Sequence, residues 1–273
     1  MTATTMTRTT RSASEVTHGT LATTISDIGV VARRNVIRYF RIPSLIVFST
    51  IQPVMFVLLF AYVFGGAIDV GPGVSYLDFL LPGIMIQAAV FGSIQTGVGL
   101  ADDLTKGMID RFRSLPMARS AVLAGRTLAD MVRNVFVVLL MTGIGAAIGF
   151  RFHAGFVRAA LALGIAVAFG LAFSWISALV GLAVRDVEAT QAASFVWVFP
   201  FVFASSAFVP VATMPGWLQA WARANPVTNA VDAIRVLVLG GPARIEFLQG
   251  LAWIVGIILV AAPLAVRSYR RVA

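Results

Sequence analysis

Residues 102–126 read DDLTKGMIDRFRSLPMARSAVLAGR, a strongly charged stretch within an otherwise apolar chain. The stretch holds the only lysine of the sequence, Lys106, together with four arginines and three aspartates. Long apolar segments flank it on both sides, so it is predicted to connect two helices that cross a membrane. Such a connection is either a solvated loop that fixes membrane orientation or a docking element that receives force from a soluble partner.

A short helix is predicted within this stretch, over residues 106–115. Met108, Phe112 and Leu115 fall at helical spacing and make one apolar stripe. Pro116 then ends the helix, because proline lacks the N–H that the next helical hydrogen bond needs. The stripe alone does not choose between the solvated loop and the docking element, so the remaining sequence is needed.

The composition is that of an integral membrane protein. Hydrophobic residues make up 59% of the 273 residues and charged residues only 12%, whereas a soluble domain has about 25% charged residues. The mean hydropathy is +0.89. The net charge of +9 does not indicate nucleic-acid binding, because the basic residues lie at the ends of apolar runs, where they set orientation. The chain has no cysteine and only two widely separated histidines, which excludes disulfides, thiol nucleophiles and a histidine metal cluster within one chain.

The N-terminal region is first polar and then amphipathic. Residues 1–24 are rich in Thr and Ser and lack the apolar core of a signal peptide, so we expect a disordered cytoplasmic segment. Residues 25–42 have an apolar face and an arginine face at helical spacing, which predicts a helix lying in the cytoplasmic membrane interface. The residues that mark its two faces are Arg34, Arg38 and Arg41 on the charged side and Tyr39 on the apolar side.

Six apolar runs follow, each close to the roughly 20 residues that the hydrocarbon core requires. They cover residues 45–64, 79–100, 131–150, 159–184, 192–211 and 247–266. An all-α transmembrane domain is therefore expected over residues 43–266, with residues 267–273 as a cytoplasmic tail. With the N-terminus in the cytoplasm, inside segments hold 15 basic residues and outside segments 5, which predicts that both termini and the stretch 102–126 are cytoplasmic.

The connection before the last apolar run, residues 212–246, is external in this topology and yet half apolar. Trp217 and Trp221 fit one face of a short helix, the pair Asn225-Pro226 breaks it, and a second helix is predicted to follow. Such a segment either dips into the membrane while buried against protein or places its tryptophans in an interfacial belt.

The spans contain few groups that could carry chemistry. All twelve acidic residues lie outside the predicted span cores, which argues against a proton-driven carrier. The sequence has no G-x-x-x-x-G-K-[ST] phosphate loop, so energy for active transport would come from another polypeptide. Arg133, about one turn inside the third span, is expected to snorkel to the headgroups, with pairing to Asp130 as the alternative.

A hydrophobic substrate path is one interpretation of the aromatic residues in the fifth run; lipid-facing or core side chains are the other. The candidate path residues are Gln52, Gln87, Phe195, Phe199 and Phe203.

Taken in this order, the features resemble the ABC-2 family of exporter permeases, most closely its actinobacterial daunorubicin-resistance type. Two motifs carry the resemblance, on opposite sides of the predicted membrane. Residues 103–130 read DLTKGMIDRFRSLPMARSAVLAGRTLAD, and the matching positions are Gly107, Arg111, Pro116, Gly125 and Arg126. Residues 214–235 read MPGWLQAWARANPVTNAVDAIR, and the matching positions are Pro215, Trp217, Asn225, Pro226, Asp232 and Arg235. One departure is the pair Thr105-Lys106, which stands where an acidic residue often precedes the loop glycine.

The resemblance implies a fold of the type V ABC exporter kind. It has six transmembrane helices per subunit, an amphipathic connecting helix before the first and two short re-entrant helices before the last. It implies that residues 106–115 are a coupling helix for an ATPase. The residues assigned to this contact are Lys106, Gly107, Met108, Asp110, Arg111, Phe112, Arg113, Leu115 and Pro116. Those assigned to an external re-entrant gate are Pro215, Trp217, Trp221, Asn225, Pro226, Asp232 and Arg235.

The function implied is that of a permease subunit in the plasma membrane. Two cytoplasmic ATPase subunits would bind ATP and Mg²⁺, while this chain would bind no cofactor and no nucleic acid and would not be an enzyme by itself. A second permease copy or a paralogue would complete the complex among the membrane lipids. The cargo would be a hydrophobic or amphipathic drug or a cell-envelope lipid or glycolipid. The alternative is a membrane channel or scaffold that needs no ATPase.

Overall fold

The computed structural model describes residues 29, 30, 32, 33, 37, 43–66, 68, 70, 73–107, 119–242 and 244–272. Within these residues the secondary structure is helical, with no strand. The helices are α1 (Pro43–Leu59, extended by a π-helical turn Phe60–Phe64), α2 (Tyr76–Thr105), α3 (Arg119–Ala147), α4 (Gly155–Val184), α5 (Val187–Phe203), α6 (Gly216–Ala224), α7 (Pro226–Leu239) and α8 (Arg244–Val272). A single 3₁₀ turn, Val211–Thr213, precedes α6.

The helix ends follow ordinary capping rules. The side chain of Ser75 accepts a hydrogen bond from the backbone N–H of Asp78 and starts α2, and that of Asp186 accepts from Ala189 and starts α5. Gly240 ends α7 with a φ of 93°, a left-handed conformation that costs glycine nothing. Between α4 and α5 the chain turns within two residues, because Arg185 adopts a left-handed conformation with a φ of 61° and Asp186 caps the next helix.

Four helices in the described part of the chain are long and apolar enough to cross a membrane: Tyr76–Thr105, Leu123–Ala147, Gly155–Val184 and Arg244–Arg271. The other apolar helices found there, Thr50–Phe64 and Val187–Phe203, fall short of the roughly 20 residues that the hydrocarbon core requires. The prediction of an all-helical membrane protein is confirmed. The count of six spans stays a prediction.

The outward side of α8 carries large apolar side chains that no other described residue covers. Leu248, Leu251, Trp253, Leu259 and Leu264 are all exposed. In water a surface of this kind would be an aggregation liability, whereas in a bilayer it faces lipid tails of similar polarity. The pattern therefore fits a helix at the lipid-facing edge of the protein.

Three helix ends differ from the ends of the predicted apolar runs. α2 continues to Thr105 and α3 begins at Arg119, so both helices run well past the apolar runs 79–100 and 131–150 toward the charged connection. α5 ends at Phe203 rather than near residue 211. The side chain of Asn225 donates hydrogen bonds to the carbonyls of Phe201 and Ala204 at this end, which allows irregular backbone to begin while still buried.

The centre of the fold is the crossing of α2 and α4. A Cβ atom built on Gly97 would overlap the backbone carbonyl of Ser177, and one built on Gly181 would overlap that of Gly97. The two backbones therefore approach as closely as the absence of side chains permits, which is how small residues stabilise helix pairs in membranes. This crossing fixes the position of α2, against which α3, α5 and α7 also pack.

Several predictions fall mainly outside the described residues. They include the segment 1–24, most of the helix 25–42 with Arg34, Arg38, Tyr39 and Arg41, and residues 108–118 of the charged connection. Within 25–42, the five described residues are helical.

Candidate functional site

α2 and α3 are antiparallel, and the charged connection links the C-terminal end of α2 to the N-terminal end of α3. Near that end Nη1 of Arg126 donates to Oδ2 of Asp103, and both side chains are largely buried, 13% and 10% exposed. The guanidinium occupies the space that a Cβ on Gly99 would need. Removing one partner of such a buried pair costs about 3–5 kcal/mol, because the other charge is left uncompensated. The pair therefore holds α2 and α3 in contact next to the charged connection.

A second ion pair lies at the C-terminal end of α2, and it is much weaker because it is exposed to solvent. Nζ of Lys106 is 2.8 Å from Oδ2 of Asp102, but the Lys106 side chain is 61% exposed. Pairs of this kind contribute about 0–1 kcal/mol, since water screens them. The next residue, Gly107, has a φ of 62°, so the chain leaves α2 through a turn that favours glycine. The remaining residues assigned to the coupling helix lie outside the described part of the chain.

Polar contacts continue between the same two helices toward the middle of the molecule. Thr96 donates its hydroxyl to Oδ2 of Asp130, and Nε of Arg133 lies 3.9 Å from Oδ1 of that carboxylate. Nη2 of Arg133 also donates to the backbone carbonyl of Gly92 at 2.6 Å. Arg133 is only 8% exposed. The expectation that it snorkels to the headgroups is wrong, and the alternative, pairing with Asp130, is what the structure contains.

Arg133 forms part of the wall of a partly open cavity of about 260 Å³, which is lined by residues of α1, α2, α3 and α5. The polar side chains that line this cavity are Gln52, Gln87, Gln95, Arg133, Asn134 and Gln191. We call it the amide cavity, because five of the six are carboxamides. Gln87 is 3% exposed, and its Oε1 has no hydrogen-bond partner among the described residues. Of the predicted path residues, Gln52, Gln87 and Phe195 come together at this cavity.

The other two predicted path residues, Phe199 and Phe203, continue from the cavity along α5. Phe91, on the cavity wall, contacts Phe195 and Phe199, with ring centroids 6.0 and 5.5 Å apart. Phe199 then stacks on Phe203 at 5.1 Å. From there the contacts pass through Phe208 to Phe60 and Phe64 of α1. We call this continuous set of rings the aromatic row. It leads from the cavity to the π-helical turn at the C-terminal end of α1.

The predicted gate residues around α6 and α7 separate into two groups. Asn225, between the helices, is buried and caps two helices at once. Its Nδ2 donates to the carbonyls of Phe201 and Ala204 at the end of α5, and its Oδ1 accepts from Val227 at the start of α7. Pro226 is the first residue of α7, where its missing N–H costs nothing. The second group, Trp217 and Trp221 with Pro215, is exposed, and Trp217 is 77% exposed.

Arg235 is the most heavily bonded side chain of α7. Its Nε donates to the carbonyl of Phe79 at 2.9 Å, its Nη1 to Asp232 at 3.0 Å, and its Nη2 to the carbonyls of Ser206 and Ala207. The guanidinium also lies 3.5 Å from the centroid of the Phe79 ring. Burial lowers the pKa of Arg235 to about 10, and the carboxylate of Asp232 opposes that shift, so the side chain is charged at neutral pH. Arg235 thus ties α7 to α2 and to the irregular segment after α5.

Some functional residues were not expected from sequence. Asp103 was noted only as part of the charged connection, and Arg126 only there and as a position that matches the family motif. Gln95, Asn134 and Gln191 were not singled out at all. A signal did exist for the ion pair of α3, because Asp130 and Arg133 have the i, i+3 spacing of neighbours on one helix face. The cavity has no equivalent signal, since its six polar side chains come from four separate helices.

Apolar helices of membrane-crossing length and an exposed apolar surface on α8 are the features of an integral membrane protein. Comparison with known proteins makes the assignment specific. Residues 26–239 match the ABC-2 type transporter family. The chain belongs to that family, and the resemblance to its daunorubicin-resistance type is confirmed.

Three relatives illustrate the match. The chain is 37% identical to the daunorubicin resistance ABC transporter permease protein DrrB1 of Streptomyces coeruleorubidus, over 84% of this chain and 80% of that protein. It is 31% identical to the probable doxorubicin resistance ABC transporter permease protein DrrC of Mycobacterium tuberculosis, over 82% and 80%. It is 26% identical to the putative transport permease ycf38 of Cyanophora paradoxa, over 78% and 74%.

Proposed function

We propose that this chain is the permease subunit of an ABC exporter in the plasma membrane. It moves a hydrophobic or amphipathic compound, a drug or a cell-envelope lipid, out of the cytoplasm or the inner leaflet. Two separate ATPase subunits bind ATP and Mg²⁺ and supply the energy, and a second permease copy or a paralogue completes the complex. Family membership and the names of the relatives support the proposal.

The observation that carries the mechanism is the rigid connection between the charged stretch and the interior. The Asp103–Arg126 pair joins α2 and α3 near the end of α2. At the amide cavity the same helices are joined by the hydrogen bonds from Thr96 to Asp130 and from Arg133 to the carbonyl of Gly92. A force that an ATPase exerts at this end of α2 and α3 would therefore move both helices as a rigid body and displace the cavity wall. ATP drives the movement only by binding one arrangement of the ATPase subunits more tightly than the other.

The proposed topology has six crossings, with α1 and α5 as the first and fifth, and both termini in the cytoplasm. The transmembrane domain extends over residues 43–266, after the segment 1–24 and the interfacial helix 25–42 and before the tail 267–273. α6 and α7 then lie on the external side, consistent with the excess of basic residues in the segments assigned to the cytoplasm.

Coupling is tested by replacing Phe112, at the centre of the apolar stripe, with alanine. If residues 106–115 seat in an ATPase groove, Phe112→Ala weakens association by about 2 kcal/mol or more, roughly thirtyfold. Arg111→Glu should have the same direction, since it reverses a charge at the rim of the contact. Association is measured by co-purification of the two subunits from membranes.

The control for this experiment is Ser114→Ala, which changes a position off the stripe in the same segment. All three variants should insert into the membrane at wild-type levels. Normal assembly of both Phe112→Ala and Arg111→Glu would remove the coupling assignment and favour a channel or scaffold that needs no ATPase.

The external gate is tested separately at Trp217, because this side chain is exposed and contributes little to folding. Trp217→Ala should alter the export rate while leaving both the thermal unfolding midpoint and ATPase association unchanged. Export is measured as efflux from cells that carry the complete transporter. An export rate equal to that of wild type would assign the tryptophans of α6 to a passive interfacial belt.

A further inference from the structure

The polar side chains of the amide cavity are energetically unfavourable inside a membrane, and such side chains mark functional positions. Six of them line this cavity, and three of the six, Gln87, Arg133 and Asn134, are buried. Oε1 of Gln87 is buried with no donor among the residues that the structure describes. A carbonyl oxygen left in this state costs about 1–3 kcal/mol. A ligand that donates a hydrogen bond to it would remove that cost.

The charges around the cavity indicate what kind of ligand fits. Among the described residues that line the cavity, Arg133 alone carries a formal charge, and Asp130 lies 3.9 Å from its Nε and compensates it. The other five polar side chains are neutral carboxamides, which both donate and accept hydrogen bonds. A cationic group would meet the guanidinium of Arg133, and a fully ionised anion would bring no donor for Gln87. An uncharged group with several hydroxyls satisfies both requirements.

The size of the cavity indicates that only part of the ligand enters it. Its volume of about 260 Å³ is below the range of about 300–1,000 Å³ typical of pockets that enclose drug-sized molecules. The aromatic row begins at the cavity wall with Phe91 and Phe195 and offers an apolar surface for the rest of the molecule. The arrangement therefore suits an amphiphile whose polar end is held at the cavity.

We propose that the amide cavity binds the uncharged, hydroxyl-rich headgroup of an amphipathic substrate, such as a glycosyl or polyol group, while the aromatic row holds its apolar part. Gln87 accepts a hydrogen bond from a ligand hydroxyl, and Gln52, Gln95, Asn134 and Gln191 supply further donors and acceptors. This inference rests on the proposed permease function and names the chemical class of its substrate.

The test uses the absence of cysteine from the chain. A single cysteine is introduced at Ala88, a small residue on the cavity wall, and the full-length protein is placed in phosphatidylcholine nanodiscs. The rate of labelling by N-ethylmaleimide is then measured with four amphiphiles of equal chain length: dodecyl maltoside, dodecyl sulfate, dodecyltrimethylammonium and dodecylphosphocholine. Ala146→Cys, exposed on α3 away from the cavity, is the matched control.

Dodecyl maltoside should slow labelling of Ala88→Cys and leave Ala146→Cys unaffected, while the three charged or zwitterionic amphiphiles should have little effect. Equal protection by all four, or stronger protection by a charged one, would overturn the proposal. Equal protection by free maltose would show that the site takes a soluble sugar and would overturn the assignment to an amphiphile.

Gln87→Leu, combined with Ala88→Cys, separates binding from folding. It should raise the half-protecting concentration of dodecyl maltoside about tenfold, the loss expected for one hydrogen bond to a buried group. The unfolding midpoint should stay equal or rise, because a buried oxygen without a donor is removed. If this variant does not fold, Gln52→Leu provides the same comparison, and unchanged protection in the folded variant contradicts the proposal. The assay contains no ATPase, so its failure is distinguishable from a failure of ATPase association.

Discussion

Asn225 shows how much of this structure depends on single polar side chains. One carboxamide completes the end of α5 and the start of α7, two helices that meet at an irregular, buried turn. Sequence reasoning recognised Asn225-Pro226 as a break between helices, and the structure confirms this. The bonds to Phe201 and Ala204 could not be foreseen, because they join residues more than twenty positions apart in the chain.

Replacing Asn225 with alanine should lower the thermal unfolding midpoint in detergent. The loss of the N-cap costs about 0.5–2 kcal/mol, and leaving buried carbonyls without a donor costs about 1–3 kcal/mol more. Asn229→Ala is the control, since its Nδ2 bonds only to carbonyls within its own turn region, those of Arg223 and Asn225. An equal decrease in the unfolding midpoint for both variants would show that the hydrogen bonds of Asn225 contribute no more to stability than those of Asn229.

Arg133 is the residue for which sequence reasoning failed most clearly. The third span was predicted to start at residue 131, so Arg133 was placed near the membrane surface and expected to snorkel. α3 in fact begins at Arg119, which puts Arg133 about 21 Å along the helix at 1.5 Å per residue. Hydropathy cannot detect this, because the first turns of α3 are too polar to register as part of a span.

At the scale of whole helices, the close crossing of α2 and α4 is the feature most open to test. Gly97→Ala should strongly reduce the folded fraction, because its methyl group would meet the backbone of Ser177 and neither backbone can move alone. Gly164→Ala, in α4 with open space around it, is the matched control. It should be neutral or stabilising by about 0.5–1 kcal/mol, the usual gain of alanine over glycine in a helix.

Both variants are compared by size-exclusion profile and unfolding midpoint. A wild-type profile for Gly97→Ala would mean that the two helices do not cross at this point. The crossing itself was not predicted, because glycine is common in membrane helices and its spacing does not identify the partner helix. Element type was easier to predict than packing: α6 and α7 were expected from Trp217, Trp221 and the Asn225-Pro226 break.

At the scale of the whole molecule, the helices connect a charged stretch, a polar cavity and a row of aromatic rings. The sequence predicted that Gln52, Gln87 and Phe195 belong to one path, and the structure places all three at the amide cavity. Whether substrate passes there stays a prediction. The remaining cavity residues could not be predicted, because they become neighbours only when α1, α2, α3 and α5 assemble.

The proposed mechanism depends on the association of this permease with a separate ATPase. It is tested most directly by purifying the tagged protein in mild detergent from its native host and identifying the co-eluting proteins by mass spectrometry. We expect an ATPase with a phosphate loop in a fixed ratio to the permease, and a second permease only if the pair is mixed. Recovery of the chain without any ATPase, even after crosslinking through Lys106, would contradict it.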